Sequence, residues 1–245
     1  MYSNTLLILA GGKGTRFHEE TKFKPKPMIN ILNEPMIIHI INHYLKYNFS
    51  NFHVLAGYKH EVMTDFFSKN FTKNKLYKNS YNLSHNAFVN IINTGLDTMT
   101  GGRILRGLDF ISEKKTINVT YGDGLANVNI NKLNQFHKKN QKIGTITAVM
   151  PPSKFGVLDL KYNNVQSFGE KVQATGSWIN GGFMVFDYNI KKYLKNDSTI
   201  LENEPLSNLA KIGELNAFKH HGFWQCVDTQ REKEILENYL VKNQS

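Results

Sequence analysis

The sequence predicts an α/β fold: a mostly parallel sheet with helices on both faces, followed by a smaller antiparallel region. Three observations predict it. Short continuous apolar runs, such as LLILA at residues 6–10, read as strands buried on both faces. Segments with helical spacing alternate with those runs as far as residue 150, the rhythm of parallel strands joined by crossover helices. After Pro151-Pro152 the runs shorten and the loops between them become brief, which suits antiparallel strands.

In chain order, residues 6–10 form the first strand and residues 11–16 a glycine-rich turn. Pro35 opens a helix that places Met36, Ile37, Ile40, Ile41, Tyr44 and Leu45 on one face. A strand over 52–56, a helix over 60–70, a strand over 88–93 and a helix over 101–111 follow. Residues 117–121 form a strand that stops at Gly122-Asp123-Gly124. A helix over 131–139 and a β-rich run over 144–150 end this part. Beyond it, strands are expected at 155–160, 165–170, 182–186 and 222–227, and helices at 204–213 and 228–242. No linker, internal repeat or low-complexity tract interrupts the chain, so residues 1–245 read as one domain with parts 1–150 and 151–245.

Composition narrows the function. Apolar residues make up 40% of the chain, enough for a core, and no run of 18 of them exists to span a membrane. The first ten residues lack the basic flank and cleavage site of a signal peptide. One cysteine, Cys226, excludes an intramolecular disulfide and any multi-cysteine metal site, and a reducing cytoplasm is the expected compartment. The formal charge is +10, but Lys supplies 26 of the 30 cations and Asn occurs 29 times, a bias spread along the whole chain. The densest stretch, residues 69–78, could track a phosphate backbone, yet no compact nucleic-acid motif accompanies it. No nucleic-acid partner is expected. Against that bias the four arginines stand out, since a planar fork suits phosphate better than an ammonium.

Four motifs carry chemistry. LAGGKGTRF, residues 9–17, puts Gly11, Gly12 and Gly14 directly after a buried strand, so backbone N–H groups can approach a phosphate chain. It is neither a P-loop, because Lys13 precedes Gly14 rather than Ser or Thr, nor a dinucleotide fingerprint, because Phe17 replaces the third glycine. A plain tight turn would use the same glycines. Lys26 lies between Pro25 and Pro27, which should hold its backbone extended and aim its cation. Asp123 and Asp228 each follow a strand and could share a divalent metal, although a helix cap would also explain Asp228. Thr100-Gly101-Gly102 before a helix offers free N–H groups, with Arg103 in its first turn, as an anion site would. The histidines have no metal spacing, and His220-His221 reads as packing.

Together LAGGKGTR, KPKPM, NTGLDTMTGGRILR, TYGDG, MPPSKFGVLDL, SWINGGF and GFWQCVDTQRE, in one order from residue 6 to 232, resemble the sugar-1-phosphate nucleotidyltransferases, and most closely their cytidylyl branch. The resemblance implies a Rossmann-like fold of the nucleotide-diphospho-sugar transferase type. Residues 1–150 would bind nucleotide; residues 151–245 would bind sugar phosphate and end in a helix. It implies transfer of a cytidylyl group from CTP to a sugar 1-phosphate, glucose 1-phosphate foremost, with Mg²⁺ and in a homo-oligomer. Leu9, Ala10, Gly11, Gly12, Lys13, Gly14, Thr15, Arg16, Lys26, Thr98, Gly102, Arg103 and Gly122 would hold the nucleotide. Gly156, Glu170, Lys171 and Asn180 would face the sugar phosphate, Asp123 and Asp228 the metal, and Arg16, Lys26, Asp123 and Asp228 would be catalytic. Val172 and His221 depart from the family pattern, where proline is usual. Other readings stay open: a different base or sugar, or a module that binds these ligands without turnover.

Overall fold

The LLILA run lies at the centre of the molecule, and both of its faces are buried. In the computed structural model, which describes residues 4–84, 86–111, 114–151, 157–161, 164–169 and 178–243, it belongs to a strand in which all six residues are buried. The side chains of residues 16, 18, 19, 157–161 and 165–169 are outside that description. The elements in order are β1 (Thr5–Ala10), α1 (His18–Thr21), β2 (Asn30–Ile31), β3 (Glu34–Pro35), α2 (Met36–Leu45), β4 (Asn51–Ala56), α3 (His60–Asn70), β5 (Ser80–Ser84), β6 (Ala87–Asn93), α4 (Thr100–Gly107), β7 (Thr116–Tyr121), β8 (Gly124–Ala126), α5 (Ile130–Asn140), β9 (Gly144–Val149), β10 (Val157–Lys161), β11 (Asn164–Gly169), β12 (Ile179–Asp187), α6 (Glu204–Lys211), β13 (Leu215–His220), β14 (Trp224–Cys226) and α7 (Gln230–Lys242).

One eight-stranded sheet runs in the order β13-β9-β12-β7-β1-β4-β6-β5. The pairs β7/β1, β1/β4, β4/β6 and β13/β9 are parallel. Alternation along β1 divides two cores. Leu6, Ile8 and Ala10 face α2, α3, α5 and α7 through Ile37, Ile41, Phe67, Leu133 and Leu236, whereas Leu7 and Leu9 face α4 and α6 through Ile104 and Leu209. Each such fully buried aliphatic side chain contributes roughly 1.5–3 kcal/mol, so a strand apolar on both faces belongs in mid-sheet.

Three expectations need correction. The antiparallel residues 182–186 do not join a separate region: β12 enters the main sheet between β7 and β9, antiparallel to both. Two edge strands were not foreseen. β13 is half-exposed along its length and so lacks an apolar run, and β5 sits in a polar segment beside β6. The expected helix over 101–111 shortens to α4 followed by a 3₁₀ turn at Leu108–Phe110.

His53 in β4 is 2% exposed, ringed by Tyr77, Phe88 and Phe110, with Asn90 Nδ2 at 3.5 Å from its Nδ1. Burial pushes its pKa down to about 4. A lowered pKa means that the unfolded state takes up the proton first. The stability held by neutral His53 is therefore complete above about pH 6.5 and is lost as pH falls toward 4. Between pH 7 and 4.5, His53→Gln should lose about 2 kcal/mol less unfolding free energy than the parent in urea titrations. Equal losses in the two proteins would contradict this.

Candidate active site

From β1 the chain builds outward through β4 and β6, then returns to place β7 on the other side of β1. The sheet thus opens a crevice at the carboxyl ends of β1 and β7, where ligands bind in such folds. The glycine loop, residues 11–16, leaves β1 there, and Gly122-Asp123 leaves β7. The Gly122 N–H donates to the Leu9 carbonyl at 2.9 Å. A Cβ on Gly122 would lie 2.8 Å from Pro27 Cγ, so bare backbone is what lets the Lys26 turn close against β7.

Lys26 does not lie in extended backbone as expected. Lys26–Met28 is a 3₁₀ turn, with the Ile29 N–H donating to the Lys26 carbonyl at 3.0 Å. Pro27 takes the second position of that turn, where its fixed φ fits and its missing N–H is not needed. The side chain is buried and its Nζ donates to Asp123 Oδ2 at 3.0 Å and Asp228 Oδ1 at 2.5 Å. Burial alone would favour the neutral amine, but Asp123 and the bonds to both carboxylates outweigh it and hold the ammonium above the ordinary lysine range. Asp228 is not the helix cap: Thr229 Oγ1 accepts the Glu232 N–H at 3.3 Å, and Glu232 Oε2 accepts the Asp228 N–H at 2.8 Å. The Asp228 carboxylate is left to face Lys26. Asp123, Cys226 and Asp228 each bring one donor atom within 4.8 Å of the others. Burial, then Asp123, pushes the Cys226 thiol up.

The glycine loop stays open on one side. A Cβ on Gly12 would meet nothing within 4 Å, and the Gly12 and Lys13 N–H groups find no acceptor among the described residues. Gly14 has φ +64 and its carbonyl accepts from Thr21 Oγ1 at 3.0 Å. Thr15 starts the 3₁₀ turn Thr15–Phe17, which also carries the backbone of Arg16. Gly11 serves another purpose, since its Cβ would lie 2.0 Å from Arg103 Cζ. Arg103, expected to offer its fork to phosphate, is 4% exposed and spends it inside the protein. It donates to the carbonyls of Gly11 (3.1 Å), Ala56 (3.1 Å), Gly95 (2.9 Å) and Leu96 (3.3 Å) and to Thr94 Oγ1 (2.5 Å). The loops after β1, β4 and β6 are therefore pinned by one cation. Nor are the N–H groups at the start of α4 free: Gly101 and Gly102 both donate to the Thr199 carbonyl, at 2.9 and 3.1 Å. The absence of a Cβ on these glycines admits residues 197–199, because a Cβ on Gly102 would lie 2.6 Å from Asp197 Cα. Thr98 Oγ1 likewise bonds inward, to the Thr94 carbonyl at 2.5 Å.

Beside Asp123, Tyr121 joins a network unseen in the sequence. Tyr121 donates its hydroxyl to Glu202 Oε1 and accepts from Asn180 Nδ2 at 3.3 Å, while Glu202 Oε2 accepts from Thr100 Oγ1 at 2.6 Å. Burial, then Glu202, then Asp123 raise the Tyr121 pKa, so the phenol remains a donor. Gly182, at φ +81, lies flat against the Tyr121 ring, and Trp224 Nε1 donates to the Gly181 carbonyl at 2.8 Å.

A family model described as Nucleotidyl transferase matches residues 5–224. The chain belongs to the nucleotidyl transferase family. It is 39% identical to the glucose-1-phosphate cytidylyltransferases of Salmonella typhimurium (strain LT2) and Salmonella typhi, over 98% of this chain and 96% of each relative. Among solved structures, HddC from Yersinia pseudotuberculosis superposes with a TM-score of 0.74 at 22% identity, covering 98% of this chain and all of that one, and so supports the fold.

In this nucleotidyl transferase the structure brings together Lys26, Asp123 and Asp228, with Gly122 against the Lys26 turn and Gly14 against Lys26 itself, while Asn180 contacts Tyr121. Leu9 and Ala10 are buried in the sheet and act through backbone. Thr98, Gly102 and Arg103 support the loops instead of facing the crevice. Gly156, Glu170, Lys171 and the Arg16 side chain lie outside the described residues. His220 contacts the Phe223 carbonyl at 3.2 Å and His221 packs edge-on to Trp178, as read from the sequence. No sequence signal marks Glu202; TYGDG does mark Tyr121, but only as a neighbour of Asp123.

Replacing Arg103 by Lys removes the fork and strands several buried acceptors, each costing about 1–3 kcal/mol. Arg103→Lys should therefore lose at least about 2 kcal/mol of unfolding free energy with no ligand present. Unchanged substrate-free unfolding would mean that Arg103 serves the ligand and not the loops.

Proposed function

We propose that this chain transfers the cytidylyl group of CTP to glucose 1-phosphate, giving CDP-glucose and pyrophosphate. The observation that carries the reading is the meeting of Lys26, Asp123 and Asp228 beside the open glycine loop. The choice of CTP and glucose 1-phosphate is supported by the relatives named above, which share nearly the full length of the chain.

The donor set suits a hard divalent cation. Two carboxylates converge, and their side chains are 36% and 20% exposed, leaving room for phosphate oxygens and water. Asp123 and Asp228 would hold Mg²⁺. When bound, it supplies charge neutralisation at the reacting phosphates. The remaining work falls to the chain. Backbone N–H groups of the loop receive the triphosphate, with Leu9 to Thr15 shaping the cradle and Arg16 at its end. Lys26, its stem fixed in the 3₁₀ turn, presents a permanent cation to the same gap. Asn180 would face the sugar phosphate, joined in this reading by Gly156, Glu170 and Lys171.

Two anions must meet, so screening their repulsion and holding them in line is the main task. A phosphate oxygen of the sugar phosphate attacks the α-phosphorus. The bond to the bridging oxygen breaks, and its electron pair leaves with pyrophosphate. The nucleophile is already ionised near neutral pH, so no general base is assigned. No helix among the described residues is long and apolar enough to cross a membrane. The same reading places the enzyme in the cytoplasm as a homo-oligomer.

A panel of CTP, UTP, dTTP and GTP with glucose 1-phosphate, followed by pyrophosphate release, tests the reading. Fastest turnover with CTP is expected, and turnover with UTP or dTTP but not CTP would overturn it. Lys26→Ala and Asp123→Asn should each lower turnover by at least about 10²-fold, on the order of 3 kcal/mol. Near-normal rates in either purified variant would refute the catalytic roles of Lys26 and Asp123.

A further inference from the structure

Where β12 passes β9 the pairing slips: Asn180 opposes Ala148, but Met184 opposes Ile146, so β12 carries extra residues between them. An irregularity of this kind re-aims a side chain. Gly182, at φ +81, makes the bend, and its N–H donates to Asn180 Oδ1 at 2.9 Å. A backbone N–H requires an acceptor, so this bond fixes which end of the amide is oxygen. The NH2 end is thereby turned to Tyr121, whose hydroxyl oxygen accepts from Nδ2 at 3.3 Å.

The Tyr121 hydroxyl has one proton, and Glu202 decides where it goes. An ionised carboxylate only accepts, so the O–H donates to Glu202 Oε1 and leaves a lone pair for Asn180. The other carboxylate oxygen, Oε2, accepts from Thr100 Oγ1 at 2.6 Å, and that hydroxyl in turn accepts the Leu201 N–H at 2.9 Å. Every bond from Thr100 through Glu202 and Tyr121 to Asn180 therefore has one allowed direction. At its end, the second N–H of Asn180 Nδ2 meets no acceptor among the described residues. Glu202 also brings negative charge toward a site read above as receiving an anion, where repulsion alone would disfavour it.

We propose that Glu202 is a positioning residue for the sugar phosphate: acting through Tyr121, it fixes the Asn180 amide so that its remaining N–H donates to a sugar hydroxyl or a phosphate oxygen. The inference rests on the reading in which Asn180 faces the sugar phosphate. Glu202 acts through its neighbours and not on the reacting atoms. The nucleotide is served by other groups, so the effect falls on one substrate of the two.

The test is steady-state kinetics of Glu202→Ala, Glu202→Gln, Tyr121→Phe and the double variant of Glu202→Ala with Tyr121→Phe, each checked for folding by circular dichroism. Tyr121→Phe keeps the ring against Gly182 and removes only the hydroxyl, so it decides the matter if Glu202→Ala does not fold. Glu202→Ala and Tyr121→Phe should each raise KM for glucose 1-phosphate about tenfold, the scale of one hydrogen bond, and leave KM for CTP unchanged. The double variant should go no further than either single one, because both break one relay. Glu202→Gln should stay close to the parent, since its amide oxygen still accepts from Tyr121. Equal rises in KM for both substrates would describe a general brace and overturn the inference. A fall in KM for glucose 1-phosphate in Glu202→Ala and Glu202→Gln would also overturn it, by describing a carboxylate that merely repels an anion. Turnover with CTP, beside an unaltered KM for glucose 1-phosphate in Glu202→Ala and Tyr121→Phe, would count against the positioning role alone. Turnover with another nucleotide in place of CTP, with that KM still raised in these variants, would count against the cytidylyl reading alone. Absence of turnover with all four nucleotides would overturn both.

Discussion

One ammonium held between two carboxylates organises this molecule. Lys26, Asp123 and Asp228 come from three distant stretches of chain: a proline-framed turn, the end of a central strand, and the lead-in to the last helix. Each alone would be an ordinary surface charge. Together they form a partly desolvated site whose charges compensate one another, where removing any member strands the others. Phosphate chemistry needs such an arrangement, because it must accept highly charged reactants without collapsing when they are absent. The half-exposure of both aspartates keeps the site open to ligands, and the burial of Lys26 keeps its cation in place.

A second cation works behind the first. Arg103 sits buried with no carboxylate partner among the described residues, satisfied by carbonyl and hydroxyl oxygens from three loops. Its planar fork suits that task, which a lysine could not reproduce. The consequence reaches the glycine loop: Gly11 is a glycine because the guanidinium occupies the space of its Cβ, while Gly12 next to it faces open space. Neighbouring glycines in one motif thus stand under different constraints, and the scaffold accounts for Gly11 alone of the two. The network of Tyr121, Glu202, Thr100 and Asn180 extends the same logic, tying the start of α4 to the end of β7.

Much of this was legible in the residues. LLILA announced a strand with two buried faces, and KPKPM, TYGDG and GFWQCVD drew attention to Lys26, Asp123 and Asp228, because each is a local pattern with a local cause. What depends on distant chain was not legible. β12 lies in mid-sheet because its partners β7 and β9 are far away in sequence, which no local alternation reveals. β13 is an edge strand, and an exposed face erases the apolar signal. The N–H groups at Gly101 and Gly102 read as a vacant anion site only while residues 197–199, a hundred positions on, were out of view. Arg103 and Glu202 were misread or missed for the same reason: their partners are backbone carbonyls and hydroxyls, which leave no mark in sequence. The cap falls on Thr229, one residue past the Asp228 that the sequence offered for it, and the Asp228 carboxylate faces Lys26 instead.

The central claim is that Lys26 and the two aspartates act as one charge-compensated unit. A double-mutant cycle on unfolding free energy, with Lys26→Met and Asp228→Asn made singly and together in substrate-free protein, measures it most directly. The account predicts a coupling of about 1–3 kcal/mol, with the double variant more stable than the sum of the single losses allows. Additive losses would contradict it, for they would mean that the three charges merely share a neighbourhood.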